Sequence, residues 1–225
     1  MNELARKSWR GLVGFCLATA ALIFAPAWTI AYWEGWLYWV IVAAWLVFIT
    51  GYFLRKDPEL VRRRIEAGPA AETDPRQRLI QSVASIAVLA LLLVSSFDHH
   101  FGWSTLPWPV AVAGDLAVCA GFAVIFLVFR TNTYTSATVG VESGQQVISD
   151  GPYAIVRHPM YSGAVLLFAG TPTALGSWWG LAAAAVLGAT LVWRLLEEER
   201  VLNGNLPGYA AYRRKVKRHL IPGLW

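Results

Sequence analysis

Gly151-Pro152-Tyr153-Ala154-Ile155-Val156-Arg157-His158-Pro159-Met160-Tyr161-Ser162-Gly163 is the stretch where a polar cluster opens onto a long apolar run. Pro159 suits an early helical position, because the N–H it lacks is one that a helix start leaves unpaired anyway. It also pushes His158 toward an extended backbone. From about Met160 to Ala174 the chain is apolar, Thr171-Pro172 and Gly176-Ser177 signal a tight turn, and a second apolar run follows from Trp178 to Leu196. This predicts a helical hairpin that does not reach the far side of a membrane cleanly. Its second arm ends in Arg194-Leu195-Leu196-Glu197-Glu198-Glu199-Arg200, with the helix expected to stop near Asn203-Gly204.

Working outward, four more apolar runs precede the hairpin: Leu12 to Ala31, Trp36 to Leu54, Leu79 to Phe97 and Val110 to Phe129. Crossing a hydrocarbon core of about 30 Å takes about twenty helical residues, and all four runs meet that requirement. The composition agrees, with 56% hydrophobic residues, twelve tryptophans and only 15% charged residues in 225. A soluble domain carries about a quarter charged residues. The fold class is therefore an all-α integral membrane protein with six crossings, or five if one arm of the hairpin is re-entrant. Residues 1–130 are the N-terminal membrane helices. Residues 131–225 form a catalytic region with a loop, the hairpin and a C-terminal amphipathic helix.

Basic residues orient the chain. With both termini on one side, that side receives Arg6, Lys7 and Arg10, seven residues between Arg55 and Arg78, Arg130, Arg157, Arg194, Arg200, and five between Arg213 and Arg218. These are all nineteen Lys and Arg of the chain. The opposite loops hold Glu34, Asp98, His99 and His100 without a basic residue. The positive-inside rule then puts both termini and both polar clusters in the cytoplasm, on the inner membrane if the source is bacterial. The net charge of +5 reports this orientation and not nucleic-acid binding. The first apolar run mimics a signal peptide and is read as a retained first helix.

Trp33, Trp36, Trp39, Trp103, Trp108, Trp178 and Trp179 gather at the outer ends of the runs as an interfacial belt. Asp98-His99-His100 reads as a solvated loop and not as a metal site, and no metal is expected anywhere. Cys16 and Cys119 lie inside apolar runs, which excludes a disulfide framework. The Arg62-Arg63-Arg64 stripe is expected to lie on anionic headgroups. Thr131 to Asp150 is a long polar loop, with Val139-Gly140-Val141 and Gln146-Val147-Ile148 as short extended pieces and Asn132 and Tyr134 as unassigned candidates. Loops of this length in compact proteins usually serve a purpose, and binding a polar cofactor is one.

Arg194 and Glu198 stand four apart and share a helix face. An intrahelical ion pair is one reading. Against it, Arg before Glu is the weaker order, and three glutamates oppose the dipole of a helix C-terminus. Ionisable groups at the membrane edge of a bundle are functional candidates. The helix start at Pro159 offers backbone donors suited to an anionic group, and Gly163 allows close backbone approach.

Gly151-Pro152-Tyr153, Arg157 to Gly163, Glu198-Glu199-Arg200-Val201-Leu202, Leu206-Pro207-Gly208-Tyr209-Ala210-Ala211-Tyr212 and Leu220-Ile221-Pro222-Gly223 resemble the isoprenylcysteine carboxyl methyltransferase family. Its wider group includes the phospholipid methyltransferases. The likeness covers about Arg130 to Trp225; the N-terminal half matches only as generic membrane helices. It implies a membrane-embedded enzyme using S-adenosylmethionine without a soluble Rossmann domain. Carried across, the family's cofactor contacts fall on Gln145, Gln146, Val147, Ile148, Tyr153, His158, Pro159, Met160, Tyr161 and Glu198. Its substrate-orienting arginine falls on Arg194, so Arg194, Glu198 and His158 are the implied catalytic residues. The implied partners are membrane lipids and a lipophilic or lipidated acceptor, with carboxyl O-methylation of an isoprenylcysteine-like substrate first. The alternatives are a lipid amine or thiol acceptor, a sterol-reductase-like enzyme using NADPH, or a membrane scaffold whose polar clusters only cap helices.

Overall fold

The computed structural model describes residues 3–65, 68–72, 74–140 and 144–225. These form eight α-helices and no strand: α1 (Glu3–Ala27), α2 (Trp33–Lys56), α3 (Pro58–Ile65), α4 (Pro75–Phe101), α5 (Trp108–Thr131), α6 (Pro159–Ala174), α7 (Gly180–Asn205) and α8 (Tyr209–Lys215). Short 3-10 turns occupy Pro69–Ala71 and Gly151–Ala154. Of the helices, α1, α2, α4, α5 and α7 are long and apolar enough to cross a membrane. Phe15, Leu17, Ile86, Leu116 and Val186 along them are exposed, the surface a helix turns to lipid tails.

The caps follow local rules. The Asp74 side chain accepts the Arg76 amide at 2.7 Å, with Pro75 opening α4. At the other end Gly102 takes the left-handed conformation, φ 65°, and its amide donates to the Asp98 carbonyl.

Sixteen-residue α6 is shorter than the spanning helices, about 24 Å at 1.5 Å per residue. Beyond it the Leu175 carbonyl accepts the Tyr32 phenol at 2.6 Å, and Ser177 donates to the Asp98 carboxylate at 2.5 Å. The α6–α7 turn therefore lies at the end of the bundle that carries the α1–α2 and α4–α5 connections, and α6 runs most of the bundle's depth. Its opposite end is recessed. His158 and Tyr161 pair with Glu199 and Glu198, while α7 continues to Asn205.

α5 and α6 touch backbone to backbone. Gly114 and Gly121 face Gly170 and Gly163, and a methyl group on Gly121 would meet the Gly163 carbonyl oxygen at 2.6 Å. Small residues at such crossings are how membrane helices gain packing where lipid removes the hydrophobic drive between them. The close approach at Gly163 is therefore made by α5.

Several sequence expectations change here. Thr171-Pro172 lies inside α6, and the turn comes only at Leu175–Trp179. A proline this late in a helix forfeits one amide bond, and Thr171 already spends its hydroxyl on the Leu167 carbonyl. Asp98, His99 and His100 are the last turn of α4. Asp98 is buried, accepting the Ser104 amide and hydroxyl as well as Ser177. Trp39 packs against the core, with its indole N–H on the Cys16 carbonyl, whereas Trp33, Trp36, Trp103, Trp108, Trp178 and Trp179 are exposed at one end. Gln146-Val147-Ile148 is irregular, as are Val139 and Gly140, while Val141 lies outside the described residues.

Candidate functional site

Because α6 stops short, a cavity of about 670 Å³ opens where its N-terminus meets α4, α7 and residues of the stretches 132–140 and 145–148. Its two halves differ in chemistry. Deep in the bundle the walls are Ala84, Val88 and Leu89 of α4, Leu167 and Phe168 of α6, and Leu187 and Leu191 of α7. At the mouth they are Asn132, Tyr134, Tyr153, His158, Tyr161, Arg194 and Glu198, with α3 contributing Arg64. Gln145, Gln146, Val147, Ile148, Pro159 and Met160 line the same space. Every residue that the family resemblance marks is thus in one cavity.

Arg194 and Glu198 do not pair with each other. Arg194 reaches across to α4 and the turn before it, donating Nη1 to Gln81 Oε1 at 2.5 Å and Nη2 to Glu72 Oε1 at 2.7 Å and to the Ala137 carbonyl at 2.9 Å. Glu72, almost wholly buried, also accepts the Val139 amide. Glu198 instead accepts the Tyr161 phenol at 2.6 Å. The buried partners win over the i,i+4 neighbour because an ion pair away from water is stronger than one on a helix surface.

Glu199, one residue on, organises the far side of the mouth. It accepts Arg157 Nε at 2.5 Å and lies 3.1 Å from His158 Nε2, 3.3 Å from His219 Nε2 and 3.4 Å from the Tyr209 phenol. The backbone amides of Arg157 and His158 donate to Arg218 and His219, and the Ser162 hydroxyl donates to the Leu220 carbonyl. The C-terminal segment is so bound to the start of α6, and His158 is held by a carboxylate behind it. Burial pushes the His219 imidazolium toward its neutral form, with Glu199 opposing. Tyr209 and Tyr212 are the buried face of α8. Tyr212 donates to the Tyr153 carbonyl at 2.7 Å, while the Tyr153 phenol accepts the Asn132 amide at 3.0 Å. Burial pushes the Tyr153 phenol up to about 12.

The Arg62 to Arg64 stripe divides. Arg62 is exposed and pairs with Glu59, and Arg63 donates to the Thr133 carbonyl. Arg64 turns inward over the Phe129 ring, 4.5 Å from its centroid. Sequence reasoning missed Arg64, Glu72, Gln81, Arg157 and Glu199 as parts of the site. For Glu199 the signal was present, since it sits within the marked Glu198-Glu199-Arg200 run. For Glu72 and Arg64 nothing local distinguished them from solvated charges.

Residues 110–206, a little under half of the chain, match the family model of the phospholipid methyltransferases, a likeness that, with five membrane-length helices, implies a membrane methyltransferase. The match, in the group that the sequence resemblance indicated, spans α5, the segment lining the mouth, α6 and α7; α3, α4 and the C-terminal segment lie outside it. No curated protein matches the chain.

Proposed function

We propose that the protein transfers a methyl group from S-adenosylmethionine to a lipophilic acceptor at the cytoplasmic membrane interface. Carboxyl O-methylation of an isoprenylcysteine-like molecule is the first reading. The observation that carries it is the two-part cavity. A water-soluble donor suits the polar mouth, and an oily tail suits the apolar depth between α4, α6 and α7. The basic residues gathered at the mouth's end of the bundle favour the cytoplasmic side.

The residues fit the donor. Glu198 supplies a carboxylate, and Tyr153 and Tyr161 supply ring faces, all compatible with a sulfonium. When bound, S-adenosylmethionine supplies an electrophilic methyl whose carbon–sulfur bonding pair returns to sulfur as the new bond forms. Tyr161 orients Glu198, and Glu199 fixes the His158 ring. An acceptor carboxylate is already ionised at neutral pH and needs no general base. Arg194 holds it, exchanging Gln81 or Glu72 for the incoming oxygens. The buried mouth strengthens attraction between a cationic donor and an anionic acceptor, and alignment contributes the rest.

An amine acceptor is the second reading, favoured by Glu72. Its carboxylate neutralises Arg194, which weakens the demand for an anionic head, and a neutral amine keeps the lone pair that attacks the methyl. The experiment is a titration of purified protein with S-adenosylhomocysteine, followed by methyl transfer to a panel of lipophilic acids, thiols and amines. Micromolar binding with ester formation supports the first reading, and methylation of amines alone selects the second. A preference for a nicotinamide cofactor sinks both.

A further inference from the structure

Three arginines reach the cavity, and they differ in what neutralises them. Arg157 has Glu199 and Arg194 has Glu72, at 2.5 and 2.7 Å. Arg64 has no carboxylate among the described residues. Its Nη1 donates to the Ser136 carbonyl at 3.2 Å and lies 3.7 Å from the Met160 sulfur. Among the described residues no acceptor is bonded to its Nε or Nη2.

Its setting is a built one. The guanidinium lies over the Phe129 ring, and Met160 on the first turn of α6 borders it. Burial pulls Arg64 down to about 10, so the group remains charged at neutral pH. A desolvated cation without a counter-charge is costly, and a ligand's anion removes that cost. Arg64 also lies on α3, outside the segment that matches the methyltransferase family.

We infer that Arg64 is the seat of the ligand's anionic group, a carboxylate gripped at the mouth of the cavity by an arginine to which the described residues supply no counter-ion. This rests on the methyltransferase reading above. Two sources supply a carboxylate there: the amino-acid end of the donor, or the head of a carboxylic acceptor. Arg64 faces the ligand and takes no proton, so its task is binding and alignment.

Titration of the purified full-length protein with two matched pairs of ligands tests this. One pair is S-adenosylhomocysteine and methylthioadenosine, which lacks the amino-acid end; the other is N-acetyl-S-farnesylcysteine and its carboxamide. Arg64→Ala should weaken only the carboxylate member of one pair, by about tenfold or more, the scale of one charge-assisted hydrogen bond. Loss confined to S-adenosylhomocysteine assigns the donor's carboxylate, and loss confined to farnesylcysteine assigns the acceptor's. Arg64→Met keeps the stem packed on Phe129 without the charge and should reproduce the loss, while Arg64→Lys should recover part of it. Unchanged affinities, or equal loss within a pair, overturn the assignment alone. Failure of the wild-type protein to bind S-adenosylhomocysteine overturns the cofactor reading and this assignment with it.

Discussion

Arg194 and Glu72 stand 122 residues apart in the chain and form a buried ion pair, Nη2 to Oε1, of 2.7 Å. The pair clamps the turn before α4 and the loop after α5 onto α7, because Glu72 also holds the Val139 amide and Arg194 the Ala137 carbonyl. Removing one partner leaves the other charge buried. Glu72→Ala should therefore destabilise the fold by about 3 kcal/mol, read as a lowered unfolding temperature in detergent. Glu72→Gln, which still accepts hydrogen bonds, should cost less.

Arg194→Ala should abolish turnover while leaving the affinity for S-adenosylhomocysteine largely intact, since the residue is assigned to the acceptor. Parallel loss of both in titration and rate assays would sink that assignment. Arg194→Lys should not rescue the rate, because an ammonium cannot span Gln81, Glu72 and Ala137 as the planar fork does.

On the donor side, Glu198→Ala and His158→Ala should both weaken S-adenosylhomocysteine. Tyr161→Phe removes only the phenol that orients Glu198 and should act in the same direction by a smaller factor. A larger effect from Tyr161→Phe than from Glu198→Ala would show that Tyr161 acts other than through the carboxylate.

The α5–α6 seam should tolerate no added bulk. Gly121→Ala or Gly163→Ala puts a methyl within 3 Å of the facing backbone, and overpacking of this kind costs about 1–3 kcal/mol. Gly188→Ala on α7, with nothing within 4 Å, is the matched control and should be neutral or slightly stabilising. Thermal unfolding of the three variants in one detergent decides it.

His219 gives a pH dependence of stability. Its pKa in the fold lies below the usual 6.5, so the unfolded chain takes the proton first. The unfolded state thus binds more protons as pH falls below 6.5, and stability should decline there while staying unaffected by this group above it. Glu199, Arg157 and His158 face the same imidazole. His219→Gln should flatten the decline between about pH 6.5 and 5; an unchanged profile would show that His219 is not its source.

The membrane helices were legible because their signal is additive: twenty apolar residues outweigh any single exception. The sites on α6 and α7 were legible because their residues lie close together in the chain. Glu72 and Arg64 were not, since each becomes part of the site only when α3 and the turn after it fold under the loop following α5. The i,i+4 spacing pointed from Arg194 to Glu198, and tertiary burial redirected both. The buried Asp98 shows the same override, its neighbours Ser104 and Ser177 arriving from two different turns. Pro172 misled for another reason, because within a packed bundle a missing amide bond does not end a helix.

The glycine seam between α5 and α6 has a consequence for traffic. With carbonyls and methylenes in van der Waals register along two turns, these helices behave as one welded wall, and no acyl or prenyl chain slips between them. A lipophilic acceptor of the kind proposed would enter on the other flank, past Leu89 on α4, where the cavity lining reaches the exposed surface.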